Sequence, residues 1–221
     1  MTAENAKKGW QAARFDELDS IPLFEGLIWH PVRKRFGIQA FGVNAYTTAN
    51  AGEQVVEEHD ESGGGGAGGH EELYVVLTGR AVFTIDGEIH EAPAGSFIFI
   101  ADPALRRKAI AEENGTVVLA VGGQAGKAYE VSAWEWYFSA MPAFKAERWD
   151  EAIAIMEDGL AEKPGHPAIL YNLACAESRG GRPLEALTHL QQSVRGDAKW
   201  AERAKTDPDF DAIRREPGFP S

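Results

Sequence analysis

Between residues 70 and 100 the apolar residues come in short runs and not at helical spacing; the stretch reads HEELYVVLTGRAVFTIDGEIHEAPAGSFIFI. Three runs, Leu73 to Leu77, Ala81 to Ile85 and Phe97 to Ile100, are rich in Val, Ile, Phe and Tyr and are bounded by Gly, Asp or Pro. That pattern predicts strands. Asp86-Gly87 supplies the positive-φ positions of a tight hairpin turn, and Thr78-Gly79 turns the chain one strand earlier. Upstream, Leu23 to Thr48 carries strand signals, with Phe36, Ile38, Ala40 and Phe41 set among Gly and Asn. Gln54 to His59 predicts another strand. Downstream, SFIFI predicts a strand, ADPALRR a turn-bearing connection and TVVLAVGG a final buried strand.

The pattern changes at Ser132. From there apolar residues follow helical spacing and repeat at an offset of 34: Trp136 aligns with Leu170, Tyr137 with Tyr171, Ala140 with Ala174, Ala152 with Ala186, and Met156 with Leu190. Gly180-Gly181 fits a turn between helices. Pro142 is expected to break or kink the first helix of the first repeat, leaving about one and a half good repeats. Phe210, Ile213 and Phe219 in the tail DPDFDAIRREPGF are expected to cap the array. Before the strands, residues 1–20 predict a loose start and a short helix whose apolar side is Ala12, Ala13, Phe15 and Leu18, ended by Ile21-Pro22. The expected organisation is therefore a strap over 1–22, a β-barrel over 23–131 and helical repeats over 132–221.

Composition narrows the function. The chain has 221 residues and a formal net charge of −12, which repels phosphate backbones and anionic membrane surfaces, so neither nucleic acid nor a membrane is an expected partner. No apolar run is long enough to span a bilayer. The N-terminal stretch lacks an apolar signal core, and the one cysteine, Cys175, excludes an intramolecular disulfide. Together these predict a cytoplasmic protein. Cys175 reads as a buried structural thiol. Ser62 to Gly69, SGGGGAGG, has no Gly-Lys-Ser/Thr ending and opens no helix, so it reads as a flexible loop between strands, not a phosphate cradle.

Two spacings carry a resemblance. Glu72 is followed by six residues and Gly79; Gly87 is followed by five residues and Pro93-Ala94-Gly95. Over roughly Phe41 to Gly123 this resembles the two motifs of the cupin superfamily, whose fold is a double-stranded β-helix, or jelly-roll, barrel. The 34-residue period resembles the tetratricopeptide repeat. The implied fold class is α+β multidomain, an all-β cupin barrel followed by a helical repeat domain.

In metal-binding cupins the first motif supplies a His-x-His pair and a glutamate, and the second one more histidine. Here His59-Asp60-Glu61 stands in place of the pair, with His70 two residues before Glu72; strand spacing puts each pair on one face. The resemblance thus implies one divalent metal (iron, manganese, nickel or zinc) on His59, Glu61, His70 and Glu72. No second-motif histidine follows Gly95. Arg106 or Arg107 stands in its place, and an arginine cannot ligate a metal. The other reading is therefore an anion-binding pocket in which Arg106 faces Glu72 and His70, holding a small acid or sugar. His90 reads as surface, and His30, His166 and His189 as without catalytic role. No catalytic residue follows from the sequence. Three functions stand open: a small-molecule binding module whose helices engage a protein partner, a metal-dependent dioxygenase, isomerase or epimerase, and a structural homodimer.

Overall fold

The structure is a computed structural model that describes residues 11–62 and 68–220. The chain divides into two compact units; one ends at Val131 and the other resumes at Ser132.

The first unit is two antiparallel sheets. One has the order β1 (Ile21–Pro22), β2 (Leu27–His30), β3 (Gly42–Thr48), β10 (Val117–Gly123), β5 (Glu71–Thr78), β8 (Phe97–Ile100). The other has the order β4 (Gln54–His59), β9 (Arg107–Ala111), β6 (Arg80–Ile85), β7 (Glu88–Pro93). Non-consecutive neighbours in both sheets give the jelly-roll barrel expected from the sequence. Residues paired across antiparallel strands share a face, so the register fixes what points inward. In the first sheet the inward rows are Tyr46–Val118–Val76, then Asn44–Ala120–Tyr74–Ile98, then Gly42–Gly122–Glu72–Ile100. In the second they include Phe83–Ala109 and Ile85–Arg107–His59. The middle of the barrel is an apolar core of Tyr74, Val76, Phe83, Ile98, Ile100 and Val118. Apart from Asn44, polar residues begin where the rows reach Glu72, Arg107 and His59.

Turn chemistry places the strands. Asp86 and Gly87 both have positive φ, 47° and 88°, and join β6 to β7 as a tight hairpin. Gly79, at φ 72°, joins β5 to β6, and a Cβ there would lie 2.5 Å from Thr116 Oγ1, so only glycine fits.

Four sequence expectations are corrected. Val32–Phe36 is a short helix, α1, not part of a strand, and Gly37 in the left-handed region stops it. The connection ADPALRR ends in strand β9, and Glu88–Pro93 is strand β7. The expected helix near residues 12–18 is only a 3-10 turn over Phe15–Glu17, while Ile21-Pro22 forms a two-residue edge strand on β2. Edge positions tolerate proline because one side of the strand needs no donor.

The fourth correction lies in the helical unit. Helices α2 (Trp134–Lys145), α3 (Trp149–Glu162), α4 (Pro167–Arg179), α5 (Pro183–Gly196) and α6 (Lys199–Thr206) follow in order. Pro142 does not break α2. It sits in the last turn, where its missing N–H removes one bond, and its own carbonyl still accepts from Ala146 N at 3.1 Å. Two full helix pairs result, with α3 and α5 beginning at 149 and 183 and ending at 162 and 196, the expected repeat. Ala140, Ala152 and Met156 of the first pair form one core with Ile169 and Leu173 of α4. Trp136 packs on Gly159, where a Cβ would come within 2.9 Å of its ring. Phe210, Ile213 and Phe219 close the array against Tyr171, Leu187 and Leu190, as the sequence suggested.

Candidate functional site

His59 closes β4 on the row of Arg107, and Glu72 opens β5 on the facing sheet. The backbone of Glu61 is tied twice, its N–H to Pro103 O at 2.8 Å and its carbonyl accepting from Gly69 N at 2.6 Å. These elements bring His59, Glu61 and Glu72 together, with one ligand atom from each within 4.8 Å of the others. His59 Nε2 lies 3.7 Å from Glu61 Oε1 and 3.7 Å from Glu72 Oε2. His70 joins at the side, its Nδ1 3.9 Å from Glu61 Oε2 and its ring 6.0 Å from that of Tyr129. His90 is exposed on β7.

The arginine at the site is Arg107, not Arg106. Arg106 is on the surface and pairs with Glu58 at 2.8 Å. Arg107 begins β9 facing inward with Ala109 and Ala111, and its fully buried side chain places Nε 3.6 Å from Glu72 Oε2. Without β9 in the sequence reading, the face was off by one residue, and a one-residue slip turns a side chain to the other side of a sheet. Tyr74, two positions after Glu72, was also missed; its hydroxyl donates to Glu72 Oε2 and lies 3.5 Å from His59 Nε2.

The electrostatics follow from burial and crowding. Burial, reinforced by the charge of Glu72, pushes the Glu61 carboxyl up to about 7. Burial also opposes ionisation of Glu72, but hydrogen bonds from His59 and Tyr74 and the charges of His59 and Arg107 outweigh it and hold Glu72 low. For His59, burial lowers the imidazole, and the hydrogen bonds and charges of Glu72, the Glu57 carbonyl and Glu61 more than offset it. Burial lowers His70. Several buried atoms have no hydrogen-bond partner: Glu61 Oε2, Arg107 Nε and Nη2, and Asn44 Oδ1. A polar atom buried without a partner is costly, and here four of them lie on inward rows of one barrel or beside them.

The donor chemistry fits a divalent cation in part. His59 Nδ1 lies 2.8 Å from the Glu57 carbonyl, which fixes the ring with Nε2 towards the two carboxylates. A cation would also relieve the repulsion between Glu61 and Glu72. Against this, Tyr74 and Arg107 already share Glu72 Oε2, and the permanent charge of Arg107 opposes a second cation nearby.

Residues 143–206 match the tetratricopeptide repeat family, which agrees with α3 to α6. Solved structures similar to this chain include cupins. A cupin protein from Bacteroides fragilis is 21% identical over 56% of this chain and 92% of its own, with a TM-score of 0.39. An RmlC-like cupin from Shewanella frigidimarina is 14% identical over 53% and 94%, TM-score 0.41. A sugar phosphate isomerase from the cupin superfamily of Silicibacter pomeroyi is 15% identical over 51% and 74%, TM-score 0.42. No curated protein matches the chain. No helix among the described residues is long and apolar enough to cross a membrane.

Proposed function

We propose that the barrel binds a small carboxylic acid or sugar acid, with Arg107 as the anchor for its acidic oxygen. The observation that carries this reading is the Arg107 guanidinium: fully buried, with Nε in an ion pair with Glu72 at 3.6 Å, too long for a hydrogen bond, and Nη2 without a hydrogen-bond partner. Arginine presents a planar fork that matches a carboxylate, and its affinity for one rises where water is excluded. Glu72 is positioned by Tyr74 and balances Arg107, so the charge of a monoanionic guest is offset only by a protonated His59, whose imidazole is raised. Glu61, with its carboxyl near 7, would hold or release a proton at Oε2 beside the guest. The test is calorimetric titration of chelator-treated protein with small acids. Wild type is expected to bind, and Arg107→Met to lose about a hundredfold or more in affinity, about 2.7 kcal/mol. Equal binding by Arg107→Met would overturn the reading.

The cluster of His59, Glu61 and Glu72 favours a second reading, a metal-dependent enzyme. A divalent cation held by these residues, with His70 beside Glu61, would polarise a substrate oxygen or activate water. Near one equivalent of iron, manganese, nickel or zinc in untagged protein purified without chelator would establish it over the first reading.

The helical unit is proposed to engage a protein partner, as repeat surfaces do, and the barrel to form a homodimer. β8 is a sheet edge whose outward Phe97 and Phe99 are 69% and 59% exposed. An apolar edge of this kind favours pairing with another strand. Sedimentation of wild type as a monomer would overturn the dimer.

A further inference from the structure

Arg107 stands inside a donor set that is otherwise spaced for a divalent cation. His59 Nε2 is 3.7 Å from Glu61 Oε1 and 3.7 Å from Glu72 Oε2, and His70 Nδ1 is 3.9 Å from Glu61 Oε2. Ligands about 2.1 Å from a tetrahedral zinc stand roughly 3.4 Å from one another, so these atoms need little movement to close on an ion. Imidazole nitrogens and carboxylate oxygens also suit such an ion chemically. What opposes the ion is held on Glu72. Its Oε2, the oxygen nearest His59 Nε2, accepts the hydrogen bond of the Tyr74 hydroxyl and carries the ion pair with Arg107 Nε at 3.6 Å.

Both of these partners are fixed. Tyr74 is 1% exposed, and its ring packs in the apolar core against Phe83, with 5.5 Å between centroids. Arg107 is 1% exposed on β9, which lies between β4 and β6, and its Nη1 donates to the Pro103 carbonyl at 3.4 Å. The same carbonyl accepts from Glu61 N, so Arg107 and Glu61 are fastened to one point of the chain. An arginine on a surface can lean away from an approaching cation. One enclosed between strands cannot, and its permanent charge acts at short range in a poorly solvated place. A divalent charge needs two carboxylates to balance it. Arg107 already balances Glu72, so an ion on this cluster would leave net positive charge buried in the barrel.

The guest is taken from the acid-binding reading above, on which the anion side of this inference rests; the exclusion of a cation stands on the geometry. We propose that Arg107, with Tyr74 holding Glu72 against it, is the specificity-determining residue of the site: it shuts a divalent cation out of His59, Glu61 and Glu72 and leaves its own Nη2 for an anion. The substitution that loses acid binding should then gain metal binding.

The experiment strips the full chain with chelator and titrates it with zinc chloride alone, reading affinity by competition with a chromophoric chelator. Arg107→Met is expected to bind one equivalent of zinc at least about tenfold more tightly than wild type. Arg107→Lys keeps the charge and is expected to stay within about threefold of wild type. Adding His59→Ala to Arg107→Met should abolish the gain, which assigns it to this cluster. Tyr74→Phe removes one hydroxyl and frees Glu72 Oε2 in part, so zinc should tighten by about threefold or more; this variant decides the matter if Arg107→Met does not fold. A smaller gain in the deciding variant, a gain in Arg107→Lys as large as in Arg107→Met, or a gain that survives His59→Ala would overturn the inference. Wild type binding zinc as tightly as Arg107→Met would do so too and would favour the metal-dependent reading. Wild type that takes up no small acid, with the zinc gain present in Arg107→Met, would remove the acid-binding reading and leave the exclusion of cations by Arg107 standing.

Discussion

The two units differ in which buried polar groups they leave without a hydrogen bond. In the helical unit the buried hydroxyls and the buried carboxylate are matched: Tyr171 donates to Asp207 at 2.7 Å, Ser178 to the Asp209 carbonyl at 2.6 Å, Ser193 to the Pro167 carbonyl at 2.8 Å, and His189 meets Glu177 at 2.8 Å; the buried atoms left without a hydrogen bond are ring nitrogens, Trp136 Nε1, His166 Nδ1 and Trp200 Nε1. Even Cys175, its thiol pushed far up by burial, is enclosed in the core that the tail completes. In the barrel, Arg107, Glu61 and Asn44 keep buried atoms without partners. Burying a guanidinium or a carboxyl without a full set of partners costs more than burying a neutral ring nitrogen, so the heavier cost falls on the barrel.

Mutations can break this contrast, and the largest effect should come from the helical unit. Leu190 is fully buried under the tail. Leu190→Ala is expected to destabilise the helical unit by about 2–5 kcal/mol, read by urea denaturation, while acid binding by the barrel persists. Lost binding would mean that the units do not act independently.

The next effect is electrostatic and belongs to the barrel. The Glu61 carboxyl, raised to about 7 from 4.5, holds its proton more tightly folded than unfolded. Its contribution is therefore favourable below pH 4.5 and is lost as pH rises through about 7. In chelator-treated protein, Glu61→Gln should stabilise the barrel at pH 8 by up to about 3 kcal/mol, with little effect at pH 4. An equal effect at both pH values would show that the carboxyl is not held protonated.

His189 has the opposite chemistry and a different window. Its hydrogen bond to Glu177 raises it above 6.5, so the stability it brings is complete below that value and fades as pH rises through its folded pKa. Denaturation of wild type and His189→Gln should diverge at pH 6 and converge by pH 9. Tyr171→Phe, which removes the bond to Asp207, should cost about 1 kcal/mol. The smallest effect is expected at Arg106: its pair with Glu58 is exposed, so Arg106→Gln should change stability by less than about 1 kcal/mol and leave acid binding unaltered.

The sequence made much of the barrel legible because its strands are short apolar runs ended by Asp-Gly, Thr-Gly or Pro. Besides the two-residue β1, two strands escaped for physical reasons. β7 is an exposed edge with Glu88, His90 and Glu91, and β9 turns only Arg107 and two alanines inward, so neither shows an apolar run. The helical repeats were legible through their period, and Pro142 misled because its position in the last turn could not be read from pattern alone. At the site, His59, Glu61, His70 and Glu72 could be paired by alternation within their own segments. Tyr74 obeyed the same alternation and was readable in principle. Arg107, Asn44 and Tyr129 owe their places to pairings between distant segments, such as Asn44 with Ala120, and no local spacing announces those.

The position of β10 also orders events in time. It is the last strand of the barrel in sequence, yet it lies between β3 and β5 in the middle of its sheet. A growing chain cannot join those two until Gly123 has left the ribosome, and such distant pairings are slow to form. The glycine row beside Glu72 thus comes into being only when β10 docks. The helices made afterwards rely on near neighbours and fold quickly. The later-made unit can finish first, with the barrel's interior assembled behind it.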